Sequence, residues 1–145
     1  MILHYYGAQF LKVVHGDTTL AINPPKKEAK LDLPKFGANV VISSNFDEKY
    51  SGGEEMSFGE TIPFVIENPG EFEDTAILIK GFSTEVEKKK GKEKNNIFLV
   101  EWEEMKIAVL GLSSKNLSES AKDLVLGAHI LIISLRDDVT TPKEA

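Results

Sequence analysis

Val40-Val41-Ile42-Ser43-Ser44-Asn45-Phe46-Asp47-Glu48-Lys49-Tyr50 is the stretch from which the rest of this chain is read. Ala38 to Ser43 is a mostly apolar run, interrupted only by Asn39, of the kind found in fully buried strands. It opens into a polar loop at Ser44. That loop offers hydroxyl, amide, carboxylate and ammonium groups, and it contains no histidine.

Outward from this strand the chain reads mainly as short β-strands. Ile2 to Tyr6 is apolar and β-prone, and Gly7 ends it. Gln9 to His15 alternates in part, with Phe10, Lys12 and Val14 on one parity and Leu11 and Val13 on the other. His15-Gly16-Asp17 is a hairpin turn signal, after which Thr18 to Ile22 returns as a strand stopped by Asn23-Pro24-Pro25. Lys26 to Lys35 is charged, contains Pro34, and reads as a loop. Thr61 to Glu67 is a strand whose Pro63 points to a sheet edge or to an irregular start. Asn68-Pro69-Gly70 reads as a tight turn, and Thr75 to Phe82 as the next strand.

Glu85 to Lys94 is a charge-dense run around Gly91. It reads either as a docking site for an anion or as a solvated loop joining two strands. The interleaving of its lysines with Glu85, Glu87 and Glu93 favours the loop. Ile97 to Trp102 and Met105 to Leu110 form a hairpin across Glu103-Glu104. One helix is expected, with Ser118 as N-cap, Glu119 in the first turn, an apolar stripe of Ala121, Leu124 and Val125, and Gly127 as the stop. Ile130 to Leu135 reads as a last buried strand, followed by a polar tail.

With 145 residues and 41% hydrophobic side chains the chain has material for a real core. The formal net charge of -6 speaks against nucleic acid as a general partner, because an acidic surface gains nothing from displacing counterions of a phosphate backbone. The absence of cysteine excludes disulfides, thiolate zinc sites and cysteine nucleophiles. No apolar run reaches the roughly 20 residues of a membrane helix. Met1 to Tyr6 lacks the basic region of a signal peptide, so a cytoplasmic protein is expected.

The serial order of these pieces resembles the metallo-β-lactamase fold, specifically the small bacterial branch similar to ascorbate-phosphate lactonases. Tyr6-Gly7-Ala8-Gln9-Phe10 sits where that branch has a Gly-His turn, and Leu20-Ala21-Ile22-Asn23-Pro24 where it has an Asp-Pro. Pro69-Gly70-Glu71-Phe72-Glu73 is close to its Pro-Gly-Glu-Tyr-Glu turn, the most specific match. Val109-Leu110-Gly111-Leu112 sits at its Leu-Gly-Asp. The resemblance implies an α/β fold, a strand-rich αββα sandwich, here incomplete at the C-terminus. It implies one domain over residues 1–135 and a polar tail over 136–145.

The resemblance also places the metal positions, and this chain departs from nearly all of them. The turn histidine falls on Ala8 and the aspartate before proline on Asn23. The His-x-His-x-Asp-His run falls on Ser44, Phe46, Glu48 and Lys49, and the metal-bridging aspartate on Leu112. Of these only Glu48 is a charged oxygen donor. A catalytic zinc generally takes three ligands from His, Asp or Glu and leaves a position open for water. The three histidines here, His4, His15 and His129, share no ligand spacing. They read as ordinary strand and turn residues.

Two carboxylate pairs remain. Asp47 and Glu48 are adjacent and could take a hard cation in a loop. Glu71 and Glu73 flank Phe72 and would point to one side of an extended segment, as a general acid pair or as part of a turn motif. Ser43-Ser44 lacks the Gly-x-Ser-x-Gly elbow of a nucleophile. Gly111-Leu112-Ser113-Ser114 lies before a helix, where backbone N–H groups bind anions.

The expectation is therefore a non-catalytic member of a hydrolase fold, without cofactor, serving as a binding or assembly subunit. A second copy or a protein partner would cover the shortened side. The alternative is a metal-dependent hydrolase, of lactonase or phosphoesterase type, that uses carboxylate ligands or a partner's residues.

Overall fold

The structure, a computed structural model, describes residues 1–47, 49–88, 91–112 and 117–134. Its contacts fall into two compact units, Met1–Glu67 and Asn68–Ala145, each built around one five-stranded sheet.

In the first unit β1 (Ile2–Gly7), β2 (Phe10–His15) and β3 (Thr18–Ile22) form an antiparallel meander. The meander turns at Gly16, where φ is 58°. β4 (Val40–Ile42) and β5 (Phe64–Ile66) then add in parallel, so the order is β1-β2-β3-β4-β5. β5 is an edge strand and begins only after Pro63, shorter than the Thr61–Glu67 strand the sequence suggests.

The period-2 pattern gives this sheet two different faces. Leu11, Val13, Leu20, Ile22, Val40, Ile42 and Ile66 share one face and are buried. On the other, Phe10, Ala21 and Val41 are covered by the Lys26–Asn39 connection and the segment around Met56. The Phe10 and Phe36 rings stack 5.8 Å apart, and the Lys12 ammonium sits 4.5 Å from the centre of the Phe36 ring. Lys12 thus keeps its charge over an aromatic face instead of interrupting an apolar one.

In the second unit β6 (Gly70–Asp74), β7 (Ile77–Lys88), β8 (Gly91–Trp102) and β9 (Met105–Leu112) are consecutive antiparallel neighbours. β10 (Ile130–Ser134) adds in parallel to β9 after the helix α1 (Glu119–Leu126). Ser118 caps α1 by accepting the Ala121 N–H at 3.2 Å, as the sequence predicts. Ala121 packs on Ile97 and Leu110, with Val125 and Ile133 alongside.

Three segments differ from the sequence reading. Glu85 to Lys94 is no plain loop: β7 and β8 continue into it, pairing Glu85 with Lys94 and Val86 with Glu93. Lys92 also forms an ion pair with Glu85 at 3.5 Å. Glu71-Phe72-Glu73 is strand, since Gly70 opens β6 with φ of 142°, a backbone that L side chains rarely adopt. β10 is half-buried and lies at a sheet edge, with Leu131 exposed, so it is not the fully buried strand expected. Leu135 and the predicted tail 136–145 lie outside the described residues. Among the described residues no helix is long and apolar enough to cross a membrane.

Candidate functional site

The residues that carry chemistry in the first unit collect at the C-terminal ends of the parallel strands β3 and β4 and at the β1–β2 turn. β3 ends at Asn23, whose φ of 50° is left-handed, a conformation asparagine tolerates better than most residues. β4 ends at Ser43, whose N–H donates to the Ile66 carbonyl of β5 at 3.0 Å. Chain continuing past β4 is held against the end of β3 at Gly52. The Gly52 N–H donates to the Pro24 carbonyl at 2.6 Å, and a Cβ on Gly52 would meet the Pro25 carbonyl oxygen at 2.1 Å. Only glycine fits there.

The Asn23 amide ties these pieces together. Its Oδ1 accepts the Ser44 N–H at 2.7 Å, and its Nδ2 donates to Gln9 Oε1 at 3.2 Å. Asn45 Oδ1 accepts the Asp47 N–H at 3.2 Å. Gln9, Asn23, Ser43, Ser44 and Asn45 are each no more than 5% exposed. The site is therefore buried, polar and uncharged.

The predicted positions do not all come together. Asn23 and Ser44 meet directly. Ala8 is exposed with φ of 52°, and the inward residue of that turn is its neighbour Gln9. Phe46 is 57% exposed and Lys49 is exposed. Glu48 lies outside the described residues. Asp47 is engaged in the loop itself, its Oδ1 accepting the Lys49 N–H at 2.9 Å and its carbonyl accepting the Ser51 hydroxyl at 2.8 Å.

Leu112 belongs to the second unit, where it is fully buried and its N–H donates to Asn95 Oδ1 at 3.0 Å. Glu71 and Glu73 project from one face of β6, both exposed, and Glu71 lies opposite Lys80 of β7. Pro69 precedes this strand and Gly70 opens it, so the Pro-Gly-Glu-Phe-Glu run has a structural job as the start of a sheet edge. Of Gly111-Leu112-Ser113-Ser114, the two serines lie outside the described residues. His4, His15 and His129 are exposed, and His129 Nδ1 accepts the Lys106 N–H at 3.0 Å.

Metal chemistry would require three or so convergent His, Cys, Asp or Glu side chains. Among the described residues no such group occurs. The donor set at the strand ends also does not fit a cation. Asn23 turns its amide N–H toward Gln9, and its one oxygen already accepts the Ser44 N–H.

Sequence reasoning passed over Gln9 and Asn45. Gln9 was one residue of a turn and Asn45 one residue of a polar loop. The signal that could have found them is the density of short neutral polar residues directly after β4, repeated at the β1–β2 turn.

A family model described as the beta-lactamase superfamily domain matches residues 2–145. Three solved structures are similar. One, from Thermotoga maritima, is put forward as a Zn-dependent hydrolase of the metallo-beta-lactamase superfamily. It is 22% identical with a TM-score of 0.75, covering 99% of this chain and 66% of its own. Another, from Parabacteroides distasonis ATCC 8503, is put forward as a metal-dependent hydrolase. It is 9% identical with a TM-score of 0.59, covering 79% of this chain and 61% of its own. The third is Zn(2+)-bound PqqB from Methylobacterium extorquens, 12% identical with a TM-score of 0.57, covering 86% of this chain and 59% of its own. The chain thus spans somewhat less than two thirds of these neighbours. No curated protein matches it.

Proposed function

This chain belongs to the beta-lactamase superfamily, and we propose that it is a member that has given up metal-dependent hydrolysis and acts as a binding or assembly subunit. Its fold is of metallo-β-lactamase type. One observation carries the reading: the ends of β3 and β4 present buried neutral amides and hydroxyls, with the Asn23 amide bonded to Gln9 and to the Ser44 N–H. An amide is a poor substitute for a carboxylate or imidazole ligand because it brings no charge to offset a dehydrated cation.

A second reading is a metal-dependent hydrolase, favoured by the descriptions of the neighbours from Thermotoga maritima and Parabacteroides distasonis. Ligands would then have to come from outside this set, from Glu48 or from a partner. Elemental analysis of protein purified without chelator separates the two. The first reading expects less than a tenth of an equivalent of Zn, Mn or Fe per chain, of order of a trace contaminant. One or two equivalents that resist dialysis would replace it with the second. We further propose a cytoplasmic protein that associates with itself, an expectation supported by apolar side chains on the edge strands: Ile2 and Tyr5 on β1, Phe64 on β5.

A further inference from the structure

The outer layer of the first unit holds a cavity that the strand ends do not share. The connection from Lys26 to Asn39 and the segment ending at Met56 cover the same face of the sheet. They are tied together at two places. The Ala38 N–H donates to the Met56 carbonyl at 2.9 Å, and the Lys27 ammonium lies 3.5 Å from the Glu55 carboxylate. The two segments line a cavity of about 460 Å³, and none of Gln9, Asn23, Ser43, Ser44 and Asn45 belongs to its wall. Small-molecule sites typically measure roughly 300–1,000 Å³.

One side of the cavity is fixed by the core. Leu33 and Met56 line it and also pack on the cluster of Phe10, Ala21 and Val41. Leu31 and Phe58 line it as well, yet they are 48% and 61% exposed. Their apolar surface faces water that the apolar body of a ligand would displace.

The charges in the wall select the head group. Lys26, Lys27 and Lys35 stand against Glu54 and Glu55. The chain as a whole carries a net charge of -6, so a positive balance here runs against its general character. Lys27 and Glu55 offset each other, which leaves Lys26 and Lys35 against Glu54. The excess is a single positive charge. It matches an anion of one charge, whereas a second charge on the ligand would be brought up against the glutamates. A cation would gain nothing from the apolar wall, and a neutral hydrocarbon nothing from the lysines.

We propose that this cavity binds a small organic acid with one negative charge and an apolar body. Its carboxylate would lie at Lys26 and Lys35 and its body against Leu31, Leu33 and Phe58. The inference goes beyond the binding role proposed above, and it does not depend on what the strand ends hold.

The test titrates octanoate into the whole chain by calorimetry, with acetate, octanol and octanedioate as comparison probes. A saturable isotherm with one octanoate per chain is expected. Acetate lacks the body, octanol the charge, and octanedioate carries a charge too many, so each should bind about tenfold or more weakly. Lys26→Gln combined with Lys35→Gln should weaken octanoate binding about tenfold, and Leu31→Glu at least as much. These side chains are exposed, so the Tm without ligand should hold in the variants. Should a variant fold poorly, a crystal structure of the unaltered protein with octanoate decides, and the carboxylate is expected within reach of the Lys26 or Lys35 ammonium. No saturable binding up to about 10 mM octanoate, equal affinity for octanol, or an affinity unmoved in the double variant overturns the proposal. Each of these results leaves the reading of the strand ends to the elemental analysis.

Discussion

Asn23 shows how one atom exchange alters a site. Asparagine there serves as acceptor for Ser44 and donor to Gln9 at once. Asn23→Asp keeps the first bond and puts an ionised oxygen into a buried site, where Gln9 must turn its amide over to meet it with Nε2. The expected cost near neutral pH is about 2–3 kcal/mol, read from chemical denaturation. Burial raises the folded pKa of the new carboxyl above its unfolded value of about 3.9. Protonated, it can still donate to Gln9. Stability should therefore be nearly intact below about pH 4, fall as the unfolded chain ionises, and level off above the raised folded pKa. A flat pH profile would contradict this account. Ala8 offers the converse case. It is exposed and left-handed, so Ala8→Gly removes a backbone penalty with little packing to lose. A gain of about 0.5–1 kcal/mol is expected. The serial order of strand ends made positions 23 and 44 readable as neighbours, and they meet. It could not show that Gln9 faces inward while Ala8 faces solvent. That depends on two consecutive positive φ angles, at Gly7 and Ala8.

At the scale of elements, legibility followed how locally each signal is satisfied. The Gly16 hairpin and the Ser118-capped helix are closed by neighbours in sequence, and both were readable. The β7–β8 extension was not, because Glu85 and Lys94 look solvated until they are paired across strands. Asn95 is the other element-scale device hidden from the sequence. The β8–β9 ladder runs only to Phe98 opposite Val109. Beyond it the Asn95 side chain takes over, donating to the Leu110 carbonyl at 2.8 Å and accepting the Leu112 N–H at 3.0 Å. Asn95→Ala leaves two backbone groups unpaired in a buried place. A loss of about 2–4 kcal/mol is expected in denaturant midpoints, against less than about 0.5 kcal/mol for a control substitution at exposed Glu104.

For the whole molecule, the metallo-β-lactamase type of fold was legible because its strands and turns keep their serial order. That Ala8, Asn23, Ser44 and Leu112 carry no charge is plain in the sequence. How Asn23 and Ser44 are bonded was not, since hydrogen-bond directions exist only once the backbone is placed. The exposed apolar residues on edge strands bear on association. Light scattering at micromolar concentration should give a mass at least twice the 16.0 kDa of one chain. Tyr5→Lys should lower it. A monomer in the unaltered protein would end the self-association proposal.

Among the described residues, each strand of both sheets pairs with the strand just before or after it in sequence. Within the two antiparallel runs, β1–β3 and β6–β9, no strand must wait for a distant stretch of chain to complete its ladder. Each can be laid on its predecessor as it leaves the ribosome, and the hairpins need to close only short loops. The three parallel additions are different: β4 must bridge the long 23–39 connection, β5 must bridge 43–63, and β10 must follow α1. Pulse-labelled hydrogen exchange should find amides of β2–β3 and β7–β8 protected first and those of β10 last. The order of assembly would then be written in the order of the sequence, with the candidate site completed only when β4 arrives.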